Sequence, residues 1–248
     1  MRTRILGCSV DNLNMEETLA RIERFIASGR PHQHVVVNAD KVVKAHANPK
    51  LREIINRCDL INADGMPVVW ASYILGRPLK ERVTGIDLFF HLMERAAERG
   101  WRVYLLGARE HVVQEVRRRL VAKHPGLTIA GARNGYWRPE EESEVARQVR
   151  EARPDVLCVA LSSPQKEEFL GRQQAYMRVP FAMGVGGTFD IAAGQVSRAP
   201  RFMQKAGLEW FYRFLQEPRR MFWRYFIEDM AFFWLLARER FAPRTRER

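Results

Sequence analysis

The chain has little cysteine and none of the common metal or nucleotide signatures. Its 3 cysteines are Cys8, Cys58 and Cys158. No CxxC occurs, which argues against a zinc ribbon or a disulfide framework, and isolated thiols fit a reducing compartment. There is no DxD, the metal-binding motif of many sugar-nucleotide enzymes, and no His/Cys/Glu cluster has metal-ligand spacing. GxSxG is missing, and with it the nucleophile elbow. GxxxxGK(S/T) and a complete GxGxxG are missing too. The 6 histidines are scattered and read as structural or exposed. The longest late apolar run, Met230 to Ala237, is far shorter than the ~20 residues of a spanning helix. The opening MRTRILGCSVDNL has too short an apolar run for a signal peptide.

What is present is a basic chain large enough for a sizeable core. It has 248 residues, 46% hydrophobic, with a formal net charge of +12. Such an excess implies an anionic partner: nucleic acid, anionic lipid or a phosphorylated substrate. The charge is uneven. Residues 195–248 hold 12 of the 41 Lys/Arg against 6 of the 29 Asp/Glu, and 13 of the 26 aromatics. That shift in composition divides the chain into a body, 1–195, and a basic, aromatic-rich helical appendage, 196–248. The appendage reads as two helices broken near Pro218, with Phe222, Phe226, Phe233 and Trp234 on one stripe. Such a helix suits an anionic membrane interface, and its arginines suit a diphosphate. The alternative is that the stripe packs on the body or on a second subunit, which leaves homo-oligomerisation open. No nucleic-acid-binding motif accompanies the charge.

The body alternates strand and helix. Strands are expected near 4–10, 34–38, 59–64, 101–107, 127–132, 155–161 and 179–184. Between them lie amphipathic helices, the first with a capping box from Asn14 to Glu17 and an end at Gly29. Short apolar runs separated by helices predict βαβ units: a Rossmann-like α/β fold with a mostly parallel sheet. In such a sheet ligands bind beyond the carboxyl ends of the strands. Those ends carry Asn38, Asp64 followed by Gly65, Gly107-Ala108, Ser162-Ser163-Pro164 and Gly184-Val185-Gly186-Gly187. Asp64 reads either as a general base or as the N-cap of the helix after it. Asn38 reads as orienting a hydroxyl or capping its own helix. The glycines Gly184, Gly186 and Gly187 bring backbone N–H groups where a phosphate could rest, or form an ordinary turn. Asp190 reads as a ribose ligand or a turn cap. Cys58 and Cys158 read as core.

Several segments together carry a family resemblance: INADGMPVVW, VTGIDLF, VYLLGA, NGYW, SSPQKE, GVGGTFDIAAGQVSRAP and GLEWFYRFLQEPRR. In this order they resemble the WecG/TagA/CpsF glycosyltransferase family over roughly residues 3–230. The resemblance implies an inverting enzyme that needs no metal or other cofactor. Such an enzyme moves a hexose, N-acetylhexosamine or uronic acid from a UDP-sugar donor to a polyprenyl-diphosphate-sugar acceptor in cell-surface polysaccharide assembly. It implies a cytoplasmic location, peripheral on the inner face of the membrane, with no nucleic-acid partner. Carried over, Asp64 matches the catalytic base and Asn38 the asparagine of the early strand. Arg213, Arg220 and Arg224 match the appendage arginines that meet the diphosphate. Gly107, Gly135, Tyr136, Ser163, Gln165, Lys166, Gly184, Gly186, Gly187, Asp190 and Arg198 complete the expected ligand contacts. Two departures stand out: Val36 where many members have threonine, and Pro164-Gln165-Lys166-Glu167 where many read Pro-Lys-Gln-Glu. The second leaves open which of Gln165 and Lys166 faces the ligand. Rival readings are a nucleotide-binding oxidoreductase, which lacks its fingerprint, and a membrane adaptor, which leaves the polar strand ends unexplained.

Overall fold

The computed structural model describes residues 2–205, 207–216, 218, 222 and 230–241. Six parallel strands form its sheet: β3 (His32–Val37), β4 (Leu60–Ala63), β5 (Arg102–Gly107), β6 (Thr128–Arg133), β7 (Val156–Ala160) and β8 (Phe181–Gly184), in the order β4-β3-β8-β7-β5-β6. The strands are almost continuously apolar, as expected where helices cover both faces.

The stretch expected as one strand over 4–10 is instead an antiparallel hairpin, β1 (Arg2–Ile5) and β2 (Cys8–Asp11), outside the main sheet. Leu6 and Gly7 both take positive φ, which turns the chain back on itself. Asp11, nearly buried, accepts from the Ile61 N–H at 2.9 Å and pairs with Arg21 at 2.8 Å. The hairpin thereby lies against the edge strand β4 and shields it.

One face of the sheet carries α1 (Met15–Ser28), α5 (Gly85–Arg99), α6 (Glu110–Lys123) and α9 (Thr188–Ala192). Leu19, Ile22, Leu88, Leu92, Val116 and Phe189 pack there on Val103, Leu105, Cys158 and Met183. The expected capping box of α1 is present, and Gly29 ends the helix in the left-handed region. The other face carries α2 (Ala39–Ala47) and α3 (Pro49–Arg57) over β3 and β4. Beside them α7 (Glu142–Ala152) and α8 (Gln165–Met177) cover β5 and β7. The expected helical stretch up to residue 57 is thus two helices, because Asn48 ends the first and caps the second ahead of Pro49. All three cysteines are buried.

In the appendage, α10 (Arg201–Lys205), α11 (Glu209–Gln216) and α12 (Met230–Phe241) are described; the expected break near Pro218 falls largely outside the described residues. Phe232, Leu235 and Leu236 of α12 sink into the core beside α2, while Phe233 and Trp234 stay exposed. Among the described residues no helix is long and apolar enough to cross a membrane.

Candidate active site

β5 and β7 are neighbours whose connections leave in opposite directions, β5 toward β6 and β7 toward β8. This switch point opens a crevice at the carboxyl ends of the strands. Gly107 ends β5 there with φ +126°. Gly135 packs so closely that a Cβ on it would lie 2.6 Å from a methyl of Leu161 and 3.0 Å from the Gly107 Cα. Any side chain at Gly135 would therefore push the NGYW loop out of place. The Gly135 N–H donates to the Ala108 carbonyl at 2.9 Å, and Asn134 holds the next N–H, that of Tyr136, at 3.0 Å. The result is an open cleft of about 530 Å³ lined by Gly135, Tyr136, Trp137, Arg138, Glu141 and Gln165. Tyr136 presents its ring to solvent. Gln165 is on the rim, 3.3 Å from the Ser162 hydroxyl. The Ser163 hydroxyl is buried without a hydrogen-bond partner.

Asp64 lies on the other side of the crevice, after β4. The helix following it, α4 (Met66–Ile74), is capped by Gly65 and has no side-chain cap. The capping reading of Asp64 therefore fails. Its Oδ1 instead accepts the Gly85 N–H at 3.0 Å. Gly85 opens α5, so a helix amino end fixes this carboxylate. Asn38 does cap its own helix, accepting the Lys41 N–H at 2.9 Å. Its Cβ faces Gly65, where an added Cβ would meet it at 3.4 Å. Asn38 and the Asp64-Gly65 turn are thus neighbours.

Gln165 and Lys166 separate clearly. Lys166 is buried, its stem beneath the end of β8 and its ammonium 3.3 Å from Glu167. The same Glu167 oxygen lies 2.7 Å from Lys41. Burial alone would raise the Glu167 carboxyl, but Lys41 and Lys166 together hold it down at about 2. In the loop after β8, Gly186 takes φ +54° with open space where a side chain would stand. The Asp190 carbonyl accepts the N–H groups of Gln195 and Val196 and so shapes the next turn.

Arg198 makes no cleft contact. It forks onto Asp87 at 2.5 and 2.9 Å and reaches Glu209 at 3.1 Å. Arg82 meets the other oxygen of Glu209 at 3.0 Å. Thr84 caps α5 and bonds Asp87 as well. Burial works against the Asp87 charge, yet Arg198 and Thr84 still keep its carboxyl below the usual range. This chain of ion pairs fastens α11 to the start of α5. The sequence reading missed it, although Asp87, Arg198 and Glu209 sit in the VTGIDLF, SRAP and GLEW segments and Arg82 directly precedes the first. Charged residues in segments far apart along the chain give no pairing signal of their own. The backbone of Arg213 belongs to α11; its side chain, Arg220 and Arg224 lie outside the described residues.

A further polar group is buried away from the crevice. His34 Nε2 lies 3.0 Å from Asn62 Oδ1, and the Asn62 amide donates to Thr18 at 3.1 Å. Burial, outweighing the Asn62 hydrogen bond, pushes the His34 imidazole down to about 4. Among the described residues, no three His, Cys, Asp or Glu side chains are placed to hold a metal ion.

Residues 3–246 match the glycosyl transferase WecG/TagA/CpsF family. A curated relative from Bacillus spizizenii is 37% identical over 190 residues, covering 77% of this chain and 72% of that protein. It is named N-acetylglucosaminyldiphosphoundecaprenol N-acetyl-beta-D-mannosaminyltransferase.

Proposed function

The chain belongs to the WecG/TagA/CpsF glycosyltransferase family, and from that premise we propose that it transfers an N-acetylhexosamine, N-acetylmannosamine as in its relative, from a UDP-sugar. The acceptor is a polyprenyl-diphosphate-linked N-acetylglucosamine, and the anomeric centre is inverted. The observation that carries this reading is Asp64: a carboxylate at a strand end, held by the Gly85 N–H and not used to cap its own helix.

Asp64 takes the proton of the acceptor hydroxyl as that oxygen attacks the anomeric carbon. Asn38, beside it, keeps the hydroxyl in line through its amide. The bond from the anomeric carbon to the diphosphate breaks, and UDP leaves with the bonding pair. The added negative charge on the diphosphate needs fixed donors. Backbone N–H groups around Gly186 and Gly187 and the appendage arginines Arg213, Arg220 and Arg224 supply them without a divalent metal. The uridine lies against Tyr136 in the cleft with Gly107, Gly135, Ser163 and Gln165, and its ribose reaches Asp190. Strands about 4.8 Å apart set Gly107 and Asp64 about 19 Å apart across four spacings. The donor's diphosphate then crosses the end of β8, between the cleft and the base. The exposed aromatics and arginines of the appendage keep the enzyme on the membrane surface that holds the acceptor lipid.

The test is a screen of UDP-sugars with a short polyprenyl-diphosphate-linked N-acetylglucosamine. UDP-N-acetylmannosamine should give product, including in excess EDTA. Loss of turnover on chelation, restored by magnesium or manganese, would refute the metal-free part. An oxidoreductase would bind NAD and not UDP.

A further inference from the structure

Lys41, Glu167 and Lys166 form a buried cluster with unbalanced charge. Their relative exposures are 5%, 1% and 7%. Both ammonium groups share one carboxylate oxygen, Lys41 at 2.7 Å and Lys166 at 3.3 Å. Two positive charges against one negative leave one positive charge uncompensated. Burying a charge without a counter-charge is costly, so folding alone does not account for the second lysine. A Lys41–Glu167 pair by itself would be neutral.

The cluster's position suggests what balances it. Lys41 stands in the first turn of α2, one turn after Asn38. Lys166 stands in the first turn of α8, after the SSP strand end. Its stem lies over Gly184, the last residue of β8. A Cβ on Gly184 would come 2.8 Å from its Cδ and 3.1 Å from its Cε. The surplus charge therefore sits beneath the glycine loop, between the cleft and Asp64.

We propose that Lys166 provides the uncompensated positive charge that selects a diphosphate at the end of β8. This rests on the glycosyltransferase reading and adds to it a named phosphate-binding residue. The diphosphate belongs either to the UDP-sugar or to the polyprenyl acceptor, and the two are separated by experiment.

The charges around Lys166 support the assignment. From α2 it faces Lys41 and Lys44, the latter held by Asp40 at 2.8 Å, and from α8 it faces Glu167. The described parts of β7 and β8 bring no charged side chain. Burial first, then Lys41, push the ammonium down to about 8 against the pull of Glu167. The folded protein thus holds this proton less tightly than the unfolded chain. A charged Lys166 lowers stability at neutral pH, and the deficit shrinks as pH rises from about 8 toward the ordinary lysine range.

The test compares wild type with Lys166→Met and Lys166→Gln by calorimetric titration of UDP, uridine and a farnesyl-diphosphate-linked N-acetylglucosamine at pH 7 and pH 9. Wild-type affinity for at least one diphosphate should fall several-fold from pH 7 to pH 9, with proton uptake on binding near pH 8. Both variants should bind that diphosphate about tenfold more weakly at pH 7 (about 1.4 kcal/mol), with no pH dependence and with uridine affinity unchanged. Loss confined to UDP assigns the charge to the donor, and loss confined to the lipid analogue assigns it to the acceptor. The Met variant should melt no lower than wild type, as a structural lysine would not allow. Diphosphate affinities within twofold of wild type, or an equal loss of uridine binding, would overturn the proposal. If wild type binds neither diphosphate, it is the glycosyltransferase reading that fails.

Discussion

Asp64 and Asn38 stand side by side, yet only one of them is committed to a helix cap. Asn38 spends its oxygen on the Lys41 N–H, so only its amide is left to face a substrate. Asp64 accepts an N–H from a different helix. Replacing Asp64 by asparagine keeps the shape and an oxygen for Gly85 but removes the proton acceptor. Turnover of Asp64→Asn should fall by roughly 10²–10⁴-fold, while UDP affinity stays within about twofold. Steady-state kinetics and a UDP titration on the same preparation check both, and near-normal turnover would remove Asp64 as the base. His34 gives a second expectation at this scale, on stability. Its folded pKa of about 4 lies below the ordinary histidine value, so the unfolded chain binds the proton more readily. Stability is therefore full above about pH 6.5 and declines as pH falls toward 4, by on the order of 3 kcal/mol. Urea unfolding at pH 7 and pH 5 should show the decline, and His34→Gln should lose most of it. A wild-type protein equally stable at both values would contradict a buried, neutral His34.

Helix caps and strand ends were legible in the sequence because their signals are local. Asn14 with Glu17, Gly29 and the six apolar strand runs all appear where adjacent residues predict them. The hairpin at the amino end was not, because Leu6 takes a positive φ that no local rule expects of leucine. Nor was the Arg82–Glu209–Arg198–Asp87 chain, which joins residues more than 100 positions apart. Of the candidate site, the strand-end residues were legible, but the opposite fates of neighbouring Gln165 and Lys166 were not. Which of two adjacent polar residues turns inward depends on the small residue beneath, here Gly184. The ion-pair chain predicts its own coupling. Arg198→Gln and Asp87→Asn should each weaken activity, and the double variant should be little worse than either. A double-mutant cycle should give about 1–3 kcal/mol of interaction between them; simple additivity would mean that the fork does not dock α11. In α12 the two stripe members, Phe233 and Trp234, are exposed. Phe232 is the aromatic that reaches the core. Phe232→Ala should cost about 3–5 kcal/mol of stability, whereas Trp234→Ala, exposed, should cost about 0.5 or less. Chemical denaturation of the two variants checks the contrast.

At the scale of the molecule, α4 and α12 together present an exposed apolar surface. Ile74 of α4 borders an open cleft of about 380 Å³ with Phe233, Leu236, Ala237, Arg240 and Phe241 of α12. Trp70 and Tyr73 on α4 are also exposed, as is Trp234, next to Phe233 in sequence. An apolar patch with Arg240 at its edge and Arg238 over the Trp234 ring fits an anionic bilayer surface. Deleting everything after Pro200 is a poor test of this, because it also strips Phe232, Leu235 and Leu236 from the core. Truncation should therefore destabilise the body as well as detach it. A sharper experiment replaces only outward-facing side chains: Phe233→Ser, Trp234→Ser and Phe241→Ser together. Their burial in lipid would be lost, while the core face of α12 stays intact. The triple variant should keep a wild-type melting temperature and its UDP affinity, but lose most co-sedimentation with anionic liposomes. Raising salt should weaken wild-type binding only in part, since screening acts on the arginines and not on the aromatics. On a water-soluble acceptor the variant should turn over at close to the wild-type rate, and on acceptor in liposomes much more slowly. Unchanged liposome binding would place the membrane contact elsewhere on the protein. A large drop in melting temperature would mean that these side chains pack on the protein itself.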